Sequence, residues 1–177
     1  MGWIVLSNGL PFDFTERTMG NVTPEVVAHS LAMQCRYGGH CPRFYSVAEH
    51  SLHMARHYPG RPGLAFAALM HDAHESVVQG IVRPSKTGEY RAFEDKLAAL
   101  FERRFGYSVC DEVKRMDNAM LAAEAVLFYG PGVLGEWDLP EPPISEPWRG
   151  PTGMRPEQYE PWLAAYHELN EARKENQ

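Results

Sequence analysis

The sequence predicts an all-α fold, and three observations carry that expectation. Apolar residues recur at helical spacing in segments that open on a capping residue and close on glycine or proline. One such segment, from Leu64 to Met70, is apolar nearly all round and belongs at the centre of a bundle. Pro131, Pro140, Pro142, Pro143, Pro147, Pro151 and Pro156 crowd residues 130–156, which therefore form a long irregular loop ahead of a last helix. The chain of 177 residues then reads as one domain over 1–177: a core from about 22 to 129, the Pro-rich loop 130–156, and a C-terminal helix 157–174.

The first twenty residues carry Gly9-Leu10-Pro11 and alternate weakly around Phe12 and Phe14, which predicts a short extended arm or hairpin. Thr23-Pro24 opens the first helix, with threonine as cap and proline in the first turn. Val26, Val27 and Leu31 continue it as far as about Gln34, and Gly38-Gly39 stops it. Ser46 followed by Glu49 is a capping box that starts a second helix through about Tyr58. Breakers from Pro59 to Gly63 separate it from the third, apolar helix, expected over Leu64–Val78. A fourth covers about Glu89–Phe105, with Phe93, Leu97, Leu100 and Phe101 on one face. A fifth covers about Val109–Tyr129, and a last amphipathic one carries Tyr159, Trp162, Leu163, Tyr166 and Leu169.

Composition excludes several function classes. A net charge of −6 argues against a protein that coats nucleic acid. Cys35, Cys41 and Cys110 are too few for a disulfide framework and include no CxxC pair, so they read as free thiols of a reducing compartment. No run reaches the roughly 18 apolar residues of a membrane span, and the N-terminus lacks the basic region of a signal peptide. The expectation is a soluble, cytoplasmic protein with neither a nucleic-acid nor a membrane partner.

Chemistry concentrates at His71-Asp72, expected inside the buried third helix. An imidazole and a carboxylate are costly to bury unpaired, and a divalent cation resolves the cost by making both of them ligands. His50 on the second helix and Asp117 on the fifth can complete the set. Mixed nitrogen and oxygen donors suit Mn²⁺, Fe²⁺, Co²⁺, Ni²⁺ or Zn²⁺ better than Mg²⁺. Four protein ligands leave positions of an octahedral ion for water and a phosphate oxygen.

The ordered set His50, His71-Asp72, Asp117, together with Ala48-Glu49-His50-Ser51 and His71-Asp72-Ala73-His74-Glu75, resembles the HD-domain phosphohydrolases. Gly9–Phe14, Cys35–His40, Tyr45–Ser51, Arg83–Lys86 and Asp117–Glu124 extend the resemblance over about residues 9–129. The branch it is most similar to contains bacterial 5'-deoxynucleotidases and phage dATP triphosphohydrolases. The resemblance implies an HD-type helical bundle with His50, His71, Asp72 and Asp117 as metal ligands and Glu75 as the catalytic carboxylate beside Asp72. It implies Arg36 and Tyr37 as contacts to phosphate and to sugar or base. His74 and Lys86 are further candidates for substrate binding, and Arg83 adds charge nearby.

One departure stands out. A Gly-Asp pair follows the HDxxE segment in the 5'-deoxynucleotidase pattern, whereas this sequence has Gln79-Gly80. Losing that carboxylate eases binding of a longer phosphate chain. The implied reaction is hydrolysis of the 5' phosphate linkage of a deoxynucleotide, first of all dATP to deoxyadenosine and triphosphate. A 5'-deoxynucleotidase acting on dNMPs is the alternative, with a non-catalytic nucleotide sensor or a cyclic-nucleotide phosphodiesterase behind it. The resemblance further implies a homo-oligomer. His53 and His57 share the face of His50 and are expected to face solvent, a second metal there being the other option. Glu124 lies two turns after Asp117 and is expected to hydrogen-bond a ligand rather than bind the ion. The region from Trp137 to Trp162 can cover the pocket or build a subunit interface, and the sequence leaves that open.

Overall fold

The computed structural model describes residues 2–137, 139, 141–144, 150–155 and 157–176. It is predominantly helical, as expected. The chain opens on a two-stranded antiparallel hairpin, β1 (Ile4–Val5) and β2 (Pro11–Phe12), which presses Leu6 and Phe12 into the core. A 3₁₀ turn over Glu16–Asn21 follows that the sequence did not signal. Asp13 organises it by accepting from the hydroxyls of Thr15 and Thr18 and from Arg17, and these bonds hold its carboxyl well below the usual range.

Helix α1 (Pro24–Met33) is capped by Thr23, whose hydroxyl accepts from the Val26 amide. It stops short of the glycines expected to end it. Gln34 turns extended and Cys35 forms a β-bridge with Ser46, so backbone pairing across the loop ends the helix first. Helix α2 (Val47–Arg56) starts on Ser46, whose hydroxyl accepts from the Glu49 amide at 3.0 Å. Only half of the capping box closes. The Glu49 carboxylate turns away and accepts from the amide and hydroxyl of Thr152, which fastens the Pro-rich segment to α2.

Helix α3 (Pro62–Met70) is shorter than expected. The α-helix ends at Met70, His71 and Asp72 form its exit, and a 3₁₀ turn over Ala73–Val77 replaces the last expected turns. The His-Asp pair therefore sits at the end of the buried helix rather than inside it. Helix α4 (Gly88–Phe105) buries Leu97 and Phe101 but leaves Phe93 partly exposed against Phe14 and Tyr90. Helix α5 (Asp111–Tyr129) follows. A short helix α6 (Val133–Glu136) falls within the Pro-rich segment, whose other described residues are irregular, and α7 (Glu160–Glu175) begins a few residues later than expected. Pro140, Pro147 and Pro156 lie outside the described residues.

Helix α3 is the axle of the bundle because it is apolar on every face. One side packs with Phe12, Leu31, Leu97, Phe101 and Trp162 from the hairpin, α1, α4 and α7. The other packs with Met54, Val113 and Met120 from α2 and α5. Trp162 is thus a core residue, which removes it from the candidates for a pocket cover. Arg173 of α7 donates to the carbonyls of Phe105 and Gly106 and lies over the Phe66 ring, closing the C-terminus of α4 where Gly106 adopts φ 66°. Among the described residues no helix is long and apolar enough to cross a membrane.

Candidate functional site at the exit of helix α3

The C-terminus of α3 meets α2 and α5, and that junction collects the chemistry. His71 turns its Nδ1 back to the Ala68 carbonyl at 2.8 Å. A carbonyl only accepts, so Nδ1 carries the hydrogen and Nε2 points into the junction. His50, fully buried on α2, sets its Nδ1 at 2.6 Å from Glu124 Oε1 and likewise turns Nε2 inward. Both Nε2 atoms are buried and make no hydrogen bond. Asp72 Oδ2 stands 3.0 Å from His71 Nε2, and Asp117 Oδ1 stands 3.2 Å from His50 Nε2 and 3.7 Å from His71 Nε2.

With both imidazoles neutral, this is a ring of lone pairs facing lone pairs. Such a ring needs a positive charge at its centre. Without an ion a proton serves: burial works against a charged His71, but Asp72 and Asp117 outweigh it and raise its pKa well above the usual range. Burial also opposes ionisation of Asp117, yet the neighbouring imidazoles of His50 and His71 hold its carboxyl well below the usual range. A cation can take the proton's place. The ligand atoms of His50, His71 and Asp72 lie within 4.8 Å of one another, and the group can hold a metal ion. The expected fourth member, Asp117, falls outside that group of three, but its Oδ1 stands beside both imidazole nitrogens while its Oδ2 accepts from Arg83 at 3.0 Å.

Glu124 supports the whole arrangement. It is fully buried, and each oxygen is used twice or more. Oε1 accepts from Tyr45 Oη at 2.9 Å and from His50 Nδ1. Oε2 accepts from Tyr37 Oη at 3.0 Å and from Arg36 Nε and Nη2 at 3.1 and 3.0 Å. Burial favours the protonated acid, but Arg36, His50 and these bonds bring its pKa down to about 2. Glu124 orients His50, as its spacing from Asp117 suggested.

Arg36 and Tyr37 are therefore partly committed. Arg36 spends two nitrogens on Glu124 and leaves Nη1 toward Asp72 Oδ2, at 3.9 Å. Tyr37 sits in the left-handed region at φ 57°, with its ring edge-on to Phe128 and Tyr129 and tilted against Trp137. Lys86 departs from its expected role: its ammonium is held at 2.7 Å by Glu94 of α4, and both groups are largely buried. The expected solvent-facing His53 is buried beside Glu49 and the Tyr45 ring. His74 keeps a buried Nδ1 without a hydrogen bond, and burial lowers its pKa.

Glu75 follows Asp72 by one 3₁₀ turn, a geometry that aligns residues three apart. Its segment is pinned to α1, because Gln34 donates to the Glu75 carbonyl and Ser30 to the Ser76 carbonyl. Burial and the charge of Asp72 push the Glu75 carboxyl up to about 8. The absent side chain of Gly80 matters here. A Cβ at that position would lie 2.5 Å from Glu75 Oε2, so the Glu75 carboxylate fills the space a residue-80 side chain would need. The sequence flagged Gly80 as a missing charge, whereas the geometry makes it room for another one. Gln34 carried no motif and was missed.

Beside the junction lies a cleft of about 410 Å³. His71, Asp72 and Asp117 form one wall, and Arg83, Arg91 and Lys114 bring positive charge to it. Arg91 and Lys114 were not anticipated, because exposed cations on helices carry no sequence signal until the fold puts them together.

No family model matches the chain. It is 34% identical over 128 residues to the uncharacterized protein YfdR of Escherichia coli, across 70% of this chain and 71% of that protein. The chain belongs to the YfdR family. Another relative of this YfdR-family chain is an uncharacterized protein of Rhodobacter capsulatus, 33% identical over 114 residues, which span 59% of this chain and 58% of that protein.

Two measurements check this account. Glu124→Gln should weaken divalent-ion affinity about 10- to 100-fold in calorimetric titration with Mn²⁺, because an amide cannot accept from four donors at once. Unchanged affinity would mean that Glu124 does not orient His50. Glu75→Gln should stabilise the metal-free protein, by a margin that grows as pH rises. The folded-state pKa of Glu75 is raised from 4.5 to about 8, so the wild type loses stability progressively across that window while the amide does not. Thermal melts in chelator at several pH values read the gap, and a gap independent of pH would contradict the environment assigned to Glu75.

Proposed function

We propose that this protein is an HD-type, metal-dependent phosphohydrolase that cleaves the 5' phosphate linkage of a deoxynucleotide, with dATP as the leading substrate. One observation carries the reading: Asp72 Oδ2 and Asp117 Oδ1 face the Nε2 atoms of His50 and His71, and no hydrogen-bond donor is supplied to either imidazole nitrogen. Those four residues would hold the ion. The donor set favours Mn²⁺, Fe²⁺, Co²⁺, Ni²⁺ or Zn²⁺ over Mg²⁺. When bound, such an ion supplies Lewis acidity toward phosphoryl oxygens and lowers the pKa of water.

The remaining roles fall to the chain's own residues. Arg36, anchored on Glu124 by two nitrogens, offers Nη1 to charge that develops on the phosphoryl group. Glu75, whose carboxyl is raised to about 8, holds a proton at neutral pH and gives it to the 5'-oxygen as that atom leaves. His74 stands next to this segment as a neutral donor or acceptor for substrate oxygen. The cleft with Arg83, Arg91 and Lys114 suits the charge of a phosphate chain longer than one unit, which favours a triphosphate over a monophosphate. The adenine preference rests on the resemblance to the phage enzymes. Nothing favours a nucleic-acid substrate.

Chromatography of the products from dATP, dAMP and ATP, incubated in parallel with Mn²⁺- or Co²⁺-loaded protein, tests the reading. Deoxyadenosine and triphosphate from dATP are expected, with a loss of at least about 100-fold in Glu75→Gln. Turnover of dAMP alone would make the protein a 5'-deoxynucleotidase and overturn the triphosphate choice. Release of neither phosphate nor triphosphate from any deoxynucleotide would overturn the hydrolase and leave a nucleotide-binding sensor.

A further inference from the structure

The loop that carries Arg36 and Tyr37 is bracketed by two thiols. Cys35 Sγ and Cys41 Sγ lie 3.3 Å apart, and both residues are half-buried, so a small reagent reaches them. A disulfide bond is ~2.05 Å long, so closing it requires the sulfurs to approach by only about 1.2 Å. The backbone between them can supply that movement, since Gly38 and Gly39 occupy it at φ 59° and 83°. Cys110, by contrast, is exposed at the start of α5, outside this loop.

We infer that Cys35 and Cys41 are a reversible dithiol–disulfide pair whose closure displaces Arg36 and loosens the site behind it. Arg36 is the residue next to Cys35, and Cys41 Sγ lies 3.6 Å from the Arg36 carbonyl. Movement of about 1 Å there strains the two Arg36 bonds to Glu124, and Glu124 holds His50. A displacement of that size is enough to cost about 100-fold where a reaction depends on placement.

The oxidant is a low-molecular-weight disulfide such as oxidised glutathione. One cysteine thiolate attacks a glutathione sulfur, the glutathione S–S bond breaks, and one glutathione thiolate leaves. The second cysteine attacks the protein-bound sulfur of the mixed disulfide and expels the other glutathione thiolate. The two thiol protons pass to the two released glutathiones, so the protein loses two electrons and the glutathione disulfide gains them. Burial and the bond to Cys35 push the Cys41 thiol up to about 11, which makes Cys41 a poor first attacker.

The test uses the full chain with Cys110→Ser, equilibrated in glutathione buffers of increasing oxidised fraction and then acid-quenched and alkylated. Trypsin cuts after Arg36, so the oxidised protein should yield the peptide 37–43 linked to the peptide that ends at Arg36. Oxidation should weaken Mn²⁺ binding about 10-fold by calorimetry, restored by dithiothreitol, and the further double change Cys35→Ser/Cys41→Ser should abolish the effect. The metal readout needs no substrate, so a failure of the proposed hydrolase does not touch it. If the protein hydrolyses deoxynucleotides, its rate should fall by at least the same factor. Mixed glutathione adducts without the linked peptides, or linked peptides with unchanged Mn²⁺ affinity, would overturn the inference.

Discussion

Four acceptor atoms turned toward one another at the end of a buried helix set the terms for the rest of this molecule. His50 and His71 give their Nδ1 hydrogens away, to Glu124 and to the Ala68 carbonyl, and so present bare Nε2 atoms to Asp72 and Asp117. Left alone the group repels itself, and only a proton or a cation quiets it. The scaffold exists to hold that unfavourable set in place. Helix α3 is apolar on every face, so it is gripped from both sides and its exit cannot drift. Helices α2 and α5 each contribute a ligand candidate through residues whose neighbours are core.

Support for the site is layered. Glu124 binds four side chains from three parts of the chain and is the common anchor of His50, Arg36, Tyr37 and Tyr45. Buried, ionised and satisfied by donors on both oxygens, it behaves as a rigid hub. Glu75 is the opposite case. Its carboxyl sits in a desolvated place beside Asp72 and uses the space that Gly80 leaves open, so its ionisation is costly. Two carboxylates near one junction are thus driven apart in pKa by their surroundings, an arrangement that separates a structural role from a proton-carrying one.

Much of this was legible from the residues. The apolar run before His71-Asp72 located the central helix, and the caps at Thr23 and Ser46 located the starts of α1 and α2. The spacing of Glu124 from Asp117 gave its orienting role. Helix ends were harder to read. The end of α1 is decided by the bridge from Cys35 to Ser46, and that of α3 by a change to 3₁₀ geometry, and both depend on tertiary pairing. Lys86 looked free because its partner Glu94 lies on the next helix, and only the fold brings the pair together. Arg83 was expected to add charge there, but its companions Arg91 and Lys114 were illegible for the same reason.

Anomalous diffraction from crystals grown with Mn²⁺ decides whether a cation sits among His50, His71, Asp72 and Asp117. One strong peak is expected at the absorption edge, about 2.0–2.3 Å from His50 Nε2, His71 Nε2 and oxygens of Asp72 and Asp117. A peak elsewhere, or no peak at all, would mean that a proton rather than a metal ion settles the charge of this junction.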